Sequence, residues 1–195
     1  MILHVICIAF ERVIPLRGLI DSFINQTDPN WDLHIIHDGR APIGVHQVMN
    51  LYKEEPRITF EETANRYGNY GHPNRREGLK QCKGAANDYV LITNDDNYYI
   101  PKFVEYFLRE CTGNVGMAYC NTIHSYFNYD IMFTRIEECH VDMGSFVVRL
   151  DVAQAVGFNH NHHSADGRYA VDCANYCDAS QMIIKYIDKP LFVHN

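Results

Sequence analysis

The chain has 195 residues, 47% of them hydrophobic, which suits one packed domain and excludes a disordered chain. A net charge of −7 argues against non-specific nucleic-acid binding, which rests on a basic surface, but leaves room for a local basic pocket. Seven cysteines, an odd number with no Cys-x-x-Cys spacing, read as free and mostly buried thiols of a reducing compartment.

Residues 3–9 (LHVICIA) are apolar and rich in β-branched side chains, the pattern of a buried strand. Leu16, Leu19, Ile20, Phe23 and Ile24 recur at helical spacing and predict a helix over 14–24. Asp28-Pro29-Asn30 is a turn. A strand over 31–37 ends in Asp38-Gly39, followed by a helix over 43–52 and a short strand over 57–60. Residues 62–73, with Asn65, Gly68, Asn69 and Gly71, read as loop. A helix over 75–82, a strand over 89–92, a helix over 102–111 and a strand over 116–120 follow. This alternation predicts an α/β fold: a mostly parallel, Rossmann-like sheet with helices on both faces and right-handed crossovers. Beyond residue 120 the texture changes to a small antiparallel part. Strands are expected over 131–134 and 143–148, helices over 151–156 and 165–177, and paired closing strands over 182–187 and 191–194. No repeat or linker marks a boundary, so one domain over 1–195 is expected. No apolar run is long enough to span a bilayer, so the expectation is a soluble cytoplasmic protein, or one peripheral to a membrane.

The strand over 89–92 runs into Asn94-Asp95-Asp96-Asn97, two adjacent carboxylates flanked by amides. Open α/β sheets place ligands at this end of their strands. Adjacent carboxylates repel. A hard divalent cation, Mn²⁺ or Mg²⁺, removes that penalty and shares its shell with substrate phosphates, so the first reading is metal–diphosphate chemistry. Asp38-Gly39 is either a common turn pair or a second strand-end acid that accepts hydrogen bonds from a base or ribose. Arg75 and Arg76 open a helix, where a cation fits the dipole poorly; they are a solvated helix end or a fork for a diphosphate. Asp166 and Asp172 are each candidates for the general base that deprotonates an acceptor hydroxyl, with plain helix capping the alternative for Asp166. His160, His162 and His163 read as a polar loop near the site. His194, at the end of the last strand, is either incidental or completes an oxygen-rich metal shell. Tyr67, Tyr70, Tyr98, Tyr99, Tyr126, Phe127 and Tyr129 fall in loops or strand ends, as rings do in sugar-binding clefts or as ordinary half-buried tyrosines do. A P-loop, a G-x-G-x-x-G turn and a G-x-S-x-G elbow are all absent, which weakens NTPase, dehydrogenase and α/β-hydrolase readings.

Taken together, these residues resemble family 2 glycosyltransferases of the GT-A fold. The opening strand, the segment Ser22-Phe23-Ile24-Asn25-Gln26-Thr27, then Trp31 through Asp38-Gly39 are similar to that family's first third. Asn74-Arg75-Arg76-Glu77-Gly78-Leu79 resembles its Arg-Asn-x-Gly-Leu helix start, and residues 93–101 its DxD-type metal motif in an Asp-Asp-Asn form. Ala165-Asp166-Gly167-Arg168-Tyr169 is similar to its late acidic motif. The sequence departs from the family pattern at Ala9-Phe10-Glu11 and at His37-Asp38-Gly39-Arg40.

The resemblance implies a nucleotide-binding half (1–120) and an acceptor-binding, catalytic half (121–195). It implies a nucleotide-diphospho-sugar donor, a UDP-sugar foremost, and a glycan, glycolipid or other hydroxyl acceptor. Ala9, Phe10, Glu11, Asp38 and Gly39 would bind the nucleoside, Arg75 the base or diphosphate, and Asp95 the ribose or sugar. Asp96 and His194 would hold Mn²⁺ or Mg²⁺, and Asp166, with Asp172 as the alternative, would be the base of an inverting transfer. Two other readings stay open: a nucleotidyltransferase acting on sugar phosphates, whose usual glycine-rich basic loop is not seen in Glu11-Arg12-Val13, and a non-catalytic nucleotide-sugar-binding module.

Overall fold

The computed structural model describes residues 1–195. Strands β1 (Leu3–Ala9), β2 (Trp31–His37), β3 (Ile58–Glu62) and β4 (Tyr89–Asn94) pair in parallel in the order β3-β2-β1-β4. Beside β4 lies β8 (Phe146–Arg149), antiparallel both to it and to β6 (Val115–His124). Strand β9 (Ile183–His194) then runs parallel to β6. The two-residue β5 (Tyr98–Tyr99) closes the edge against the end of β9, and β7 (Asp130–Met132) forms a hairpin with β6. The result is one nine-stranded α/β sheet, mostly parallel, with its antiparallel strands in the later part of the chain.

Every residue of β1 is buried, because both faces of the sheet are covered. Side chains alternate across a strand. Leu3, Val5, Cys7 and Ala9 therefore pack with α1 (Val13–Ile24), α2 (Ile43–Leu51) and α4 (Phe103–Glu110). Ile6 and Ile8 pack instead with α3 (His72–Gln81), α5 (Leu150–Val156) and α6 (Ala165–Ala179). Helix α3 lies close on the sheet because residue 78 is glycine: a Cβ there would stand 2.7 Å from Ile36 Cδ1 and 2.9 Å from Ile6 Cγ2. That close seat brings Arg75, one turn earlier, over the strand ends. All seven cysteines are free, and five of them are buried.

Several expected elements are corrected. The two closing strands are one strand, β9, in parallel with β6 rather than a pair. Pro190 has no N–H to donate, but a register shift between the Cys120–Ile187 and Asn121–Pro190 partners takes up the irregularity, so the strand bends instead of ending. Helix α3 starts at His72, three residues before Arg75, because Pro73 falls in its first turn, where the missing N–H costs nothing. Within the expected loop over 62–73, residues Asn69–Gly71 form a 3₁₀ turn. Of the expected strand over 143–148, Met143–Ser145 is also a 3₁₀ turn, capped by the Asp142 side chain, which accepts from Gly144 N–H.

Buried His4 ties the start of the sheet together. Its Nδ1 lies 2.8 Å from Asp32 and its Nε2 3.4 Å from Asp88. Burial lowers the His4 pKa, but the two carboxylates outweigh it and the net shift is upward. Asp88 is opposed by burial too, yet the N–H groups of Ile2 and Ala85, together with His4, hold its pKa down. A raised histidine pKa stabilises the fold fully below the unfolded value of about 6.5, and this contribution is lost as pH rises through the folded value. The lowered Asp88 pKa acts at the other end: its contribution is present above about 4 and is lost on acidification. We expect the wild-type urea midpoint to fall as pH is raised from about 6.5, and the His4→Gln midpoint to fall less over the same range. Parallel curves for the two proteins would remove His4 from the pH dependence.

Candidate active site

The C-terminal ends of β1, β2, β4, β6 and β9 open into one cleft of about 560 Å³, with Ala9, Asp38, Asp95, His124 and His194 on its walls. This is the edge at which open α/β sheets bind their ligands.

On one side stands the nucleoside end expected from β1 and β2. Asp38 is 5% exposed and has both carboxylate oxygens in use. One accepts from Tyr67 N–H (2.8 Å) and Asn74 Nδ2 (3.0 Å), the other from Gly68 N–H (2.9 Å). The side chain thus holds the 66–68 loop against α3. Gly39 follows at φ +88°, a conformation that favours glycine, and its N–H donates to Thr63 Oγ1. Phe10 and Arg66 meet over the cleft, the guanidinium 3.8 Å from the ring centroid. Glu11 is exposed, at φ +57°, and its N–H donates to His37 Nε2 while His37 Nδ1 donates to Gly39 C=O. Glu11 and Gly39 do not line the cleft; they shape the loops that do.

Arg75 is 5% exposed, and its hydrogen-bond partners are all neutral: Tyr70 C=O at 2.6 Å, His72 Nδ1 at 2.8 Å and Asn94 Oδ1 at 2.5 Å. Its Nε has no partner at all. Burial lowers the Arg75 pKa, opposed by the fields of Asp166 and Asp142. His72 donates Nε2–H to His162 C=O and accepts from Arg75; burial and then the Arg75 charge push it down to about 4, so it stands neutral.

The turn directly after Asn94 is acidic. Asp95 is 3% exposed and accepts from Phe10 N–H at 2.9 Å and from Arg12 at 3.4 Å. Burial pushes its pKa up to about 7, although Phe10 N–H and Arg12 pull the other way. Burial also raises Asp96, opposed by Arg12, which pairs with its Oδ2. Asp96 lies beside the cleft wall rather than on it. His194 reaches this corner because Tyr98 pairs with Val193, drawing the end of β9 against the turn after β4; Asn195 Nδ2 then donates to Asp96 C=O at 2.6 Å. Asp142 Oδ2 lies 3.1 Å from His194 Nδ1 without a directed hydrogen bond. No group of three ligands is preassembled. The donors nonetheless suit Mn²⁺ or Mg²⁺: Asp96 Oδ1 is buried and unpartnered, and so is His194 Nδ1. One carboxylate oxygen and one imidazole leave the remaining positions to water and phosphate, the usual arrangement for such ions.

Asp166 sits in the first turn of α6 on the cleft wall, its Oδ1 accepting from Gly167 N–H. Burial raises its pKa, with the Asp142 charge adding to the shift. Asp172 is placed elsewhere: it is bound by His160 at 2.6 Å, with Arg168 at 3.7 Å, and does not line the cleft. Sequence reasoning did not single out Arg12, Arg66, His72, Asn94, His124 or Asp142 as site residues. Asn94 flanks the acidic pair and was the most visible of them. Asp142 falls in an irregular stretch with no periodic signal.

Comparison with known proteins places this geometry. The family model described as glycosyl transferase family 2 matches residues 4–171. No curated protein sequence matches the chain significantly. Among solved structures, Staphylococcus aureus TarS 1–349 superposes with a TM-score of 0.76 at 15% identity, over 100% of this chain and 60% of that one. TarS 1–349 in complex with UDP-GlcNAc gives 0.76 at 14% identity, over 100% and 58%. The mannosyltransferase PcManGT from Pyrobaculum calidifontis, in complex with GDP-Man and Mn²⁺, gives 0.71 at 13% identity, over 98% and 56%. The chain thus spans less than two thirds of each of these solved chains, and 37% of the longer TarS chain, and the fold it shares with them is GT-A. With the family model matching most of its length, the chain belongs to glycosyl transferase family 2.

Proposed function

We propose that this chain is the catalytic domain of a metal-dependent glycosyltransferase that moves a sugar from a nucleotide-diphospho-sugar to a hydroxyl acceptor. The observation that carries the reading is the polarity of the cleft. A buried guanidinium without a carboxylate partner, Arg75, is seated on Asn94 at the end of β4, and an acidic pair whose one cation partner is Arg12, Asp95 and Asp96, follows directly after it. Buried charges that are unpaired or underpaired are costly, so this layout calls for an anion beside Arg75 and a cation beside Asp96. A diphosphate with its divalent ion supplies both. The likeness to TarS, solved with UDP and with UDP-GlcNAc, favours a UDP-sugar. Family membership makes a nucleotidyltransferase the weaker reading.

In this reading Phe10 and Arg66 face the base, and Asp38 acts through the loop it holds. Asp95 meets the ribose or sugar, and Asp96 and His194 hold the ion. A bound divalent ion supplies Lewis-acid neutralisation of the leaving diphosphate. Asp166 takes the acceptor hydroxyl proton as that oxygen bonds to the anomeric carbon. The bond from that carbon to the diphosphate oxygen breaks, and the configuration inverts. Asp166 has the burial-raised pKa that suits a base. Asp172, held by His160, takes no part in the proton transfer.

Four outcomes test this reading. Asp166→Asn lowers kcat by roughly 10²–10⁴ and leaves UDP affinity unchanged, whereas Asp172→Asn stays active; the reverse pattern reassigns the base. In the wild type, kcat falls as pH is lowered, with an acid limb above the ordinary aspartate range, because the base must be ionised. Arg75→Gln weakens UDP binding by about tenfold to a hundredfold, the scale of a charge-assisted hydrogen bond. Calorimetry showing unaltered UDP affinity in a folded Arg75→Gln protein would take the diphosphate away from this side of the cleft. Asp96→Ala abolishes the gain in UDP affinity that Mn²⁺ gives the wild type; a persisting gain places the ion elsewhere.

A further inference from the structure

Arg12 has no role in the reading above, yet it is the only cation hydrogen-bonded to the acidic pair. Its Nη1 lies 3.4 Å from Asp95 Oδ1 and is paired with Asp96 Oδ2. Every other contact to these two carboxylates is a main-chain N–H or is missing: Phe10 N–H serves Asp95 Oδ2, and Asp96 Oδ1 has no partner. The Arg12 side chain is itself about half exposed, at 51%, and projects from the residue that precedes α1 onto the cleft wall. Its position is set from both sides. Asp95 holds the backbone two residues earlier through Phe10 N–H, and Glu11, at φ +57°, turns the chain between them.

A guanidinium and a divalent ion compete for the same carboxylate charge, although Arg12 sits on Asp96 Oδ2 and leaves Oδ1 free. An arginine on Asp96 Oδ2 leaves this carboxylate half satisfied and blocks it from ligating through that oxygen. Being half exposed, the arginine can leave at little cost, since exposed ion pairs are weak. We infer that Arg12 is a resident counter-cation: it neutralises the Asp95–Asp96 pair while the cleft is empty, competes with the divalent ion for Asp96, and is displaced towards the donor diphosphate when ion and nucleotide enter together. This rests on the metal–diphosphate reading of the cleft. Its consequence is an ordered site, in which the ion binds poorly alone and well with nucleotide, because only the diphosphate offers the displaced guanidinium a new partner.

The test is Mn²⁺ affinity of the full chain without nucleotide, by electron paramagnetic resonance at fixed pH and low salt, for wild type, Arg12→Ala and Arg12→Lys. Arg12→Ala binds Mn²⁺ alone about tenfold more tightly than wild type, the scale of one lost competing charge-assisted bond, and Arg12→Lys stays close to wild type. In the presence of UDP the advantage of Arg12→Ala shrinks or reverses. Thermal unfolding gives a second readout: in EDTA Arg12→Ala melts below wild type, and Mn²⁺ alone restores more of the loss than it adds to the wild type. Equal, weaker or undetectable Mn²⁺ binding by Arg12→Ala overturns the proposal. If UDP with Mn²⁺ still binds the wild type tightly in that case, only the role of Arg12 fails. Absence of metal-dependent UDP binding in the wild type removes the parent reading as well.

Discussion

Two carboxylates in sequence at the end of a buried strand are the constraint around which this molecule is arranged. Asp95 is desolvated by β1 and β4, and Asp96 adds a second charge beside it. Left alone, the pair would take up protons or open the sheet edge. The structure offers two direct and partial remedies, the Phe10 N–H from β1's exit and the Arg12 guanidinium, with the field of His194 at the end of β9 beside them. None satisfies every lone pair. Burial first, and then the Asp96 charge, push the Asp95 pKa up to about 7, the sense in which a nearby cation would be favoured.

The same logic runs in the opposite sense at Arg75. Arg75 is as buried as Asp95, but its hydrogen bonds go to a carbonyl, an imidazole and an amide. These orient the fork without cancelling its charge. His72 helps by staying neutral, since a protonated ring beside Arg75 would add repulsion. Positive and negative groups that are each underpaired, and that line one cleft, polarise the space they face. Burying either charge is tolerable only while a ligand supplies the missing partner or, at the acidic corner, while Arg12 stands in.

Much of this was legible in the sequence because it lies where local patterns end. The apolar runs of β1, β2 and β4 stop at Ala9, Asp38 and Asp95, and the structure opens all three strand ends onto the cleft. The sequence offers Asp166 and Asp172 as alternatives, and six residues on a helix of 3.6 per turn set their side chains about 120° apart. Only one of them can face a given cleft, and it is Asp166 that does. What stayed hidden depends on long-range pairing. Residues 188–190 read as a break between two strands because the ladder partner of Pro190, Asn121 at a bulge in β6, carries no signal near residue 190. Arg12 was noticed only for not belonging to a glycine-rich loop, since its partners lie more than eighty residues away. Asp142 had neither period nor motif.

The pairing of β5 with β9 explains why the metal corner belongs to the whole sheet and not to its first half. Tyr98 and Tyr99 come two residues after Asp96, and their partners are Val193 and Phe192. Tyr99 is fully buried, stacked on Phe192 at 5.3 Å and packed on Phe23 and Phe103, while its hydroxyl donates to Thr93 in β4. One aromatic residue therefore joins α1, α4, β4 and β9 around the turn that carries the acids. Gly144 completes the joint, because a Cβ there would stand 2.5 Å from the Phe192 ring, and this close passage sets Asp142 beside His194. Loop closure over nearly the full chain precedes any of these contacts, so the acidic corner acquires His194 and Asp142 only when the sheet is complete. The wall formed by β1 and β2 needs no such closure. Under the proposed function, donor-base recognition would therefore rest on the first half of the chain, and metal binding on the finished fold.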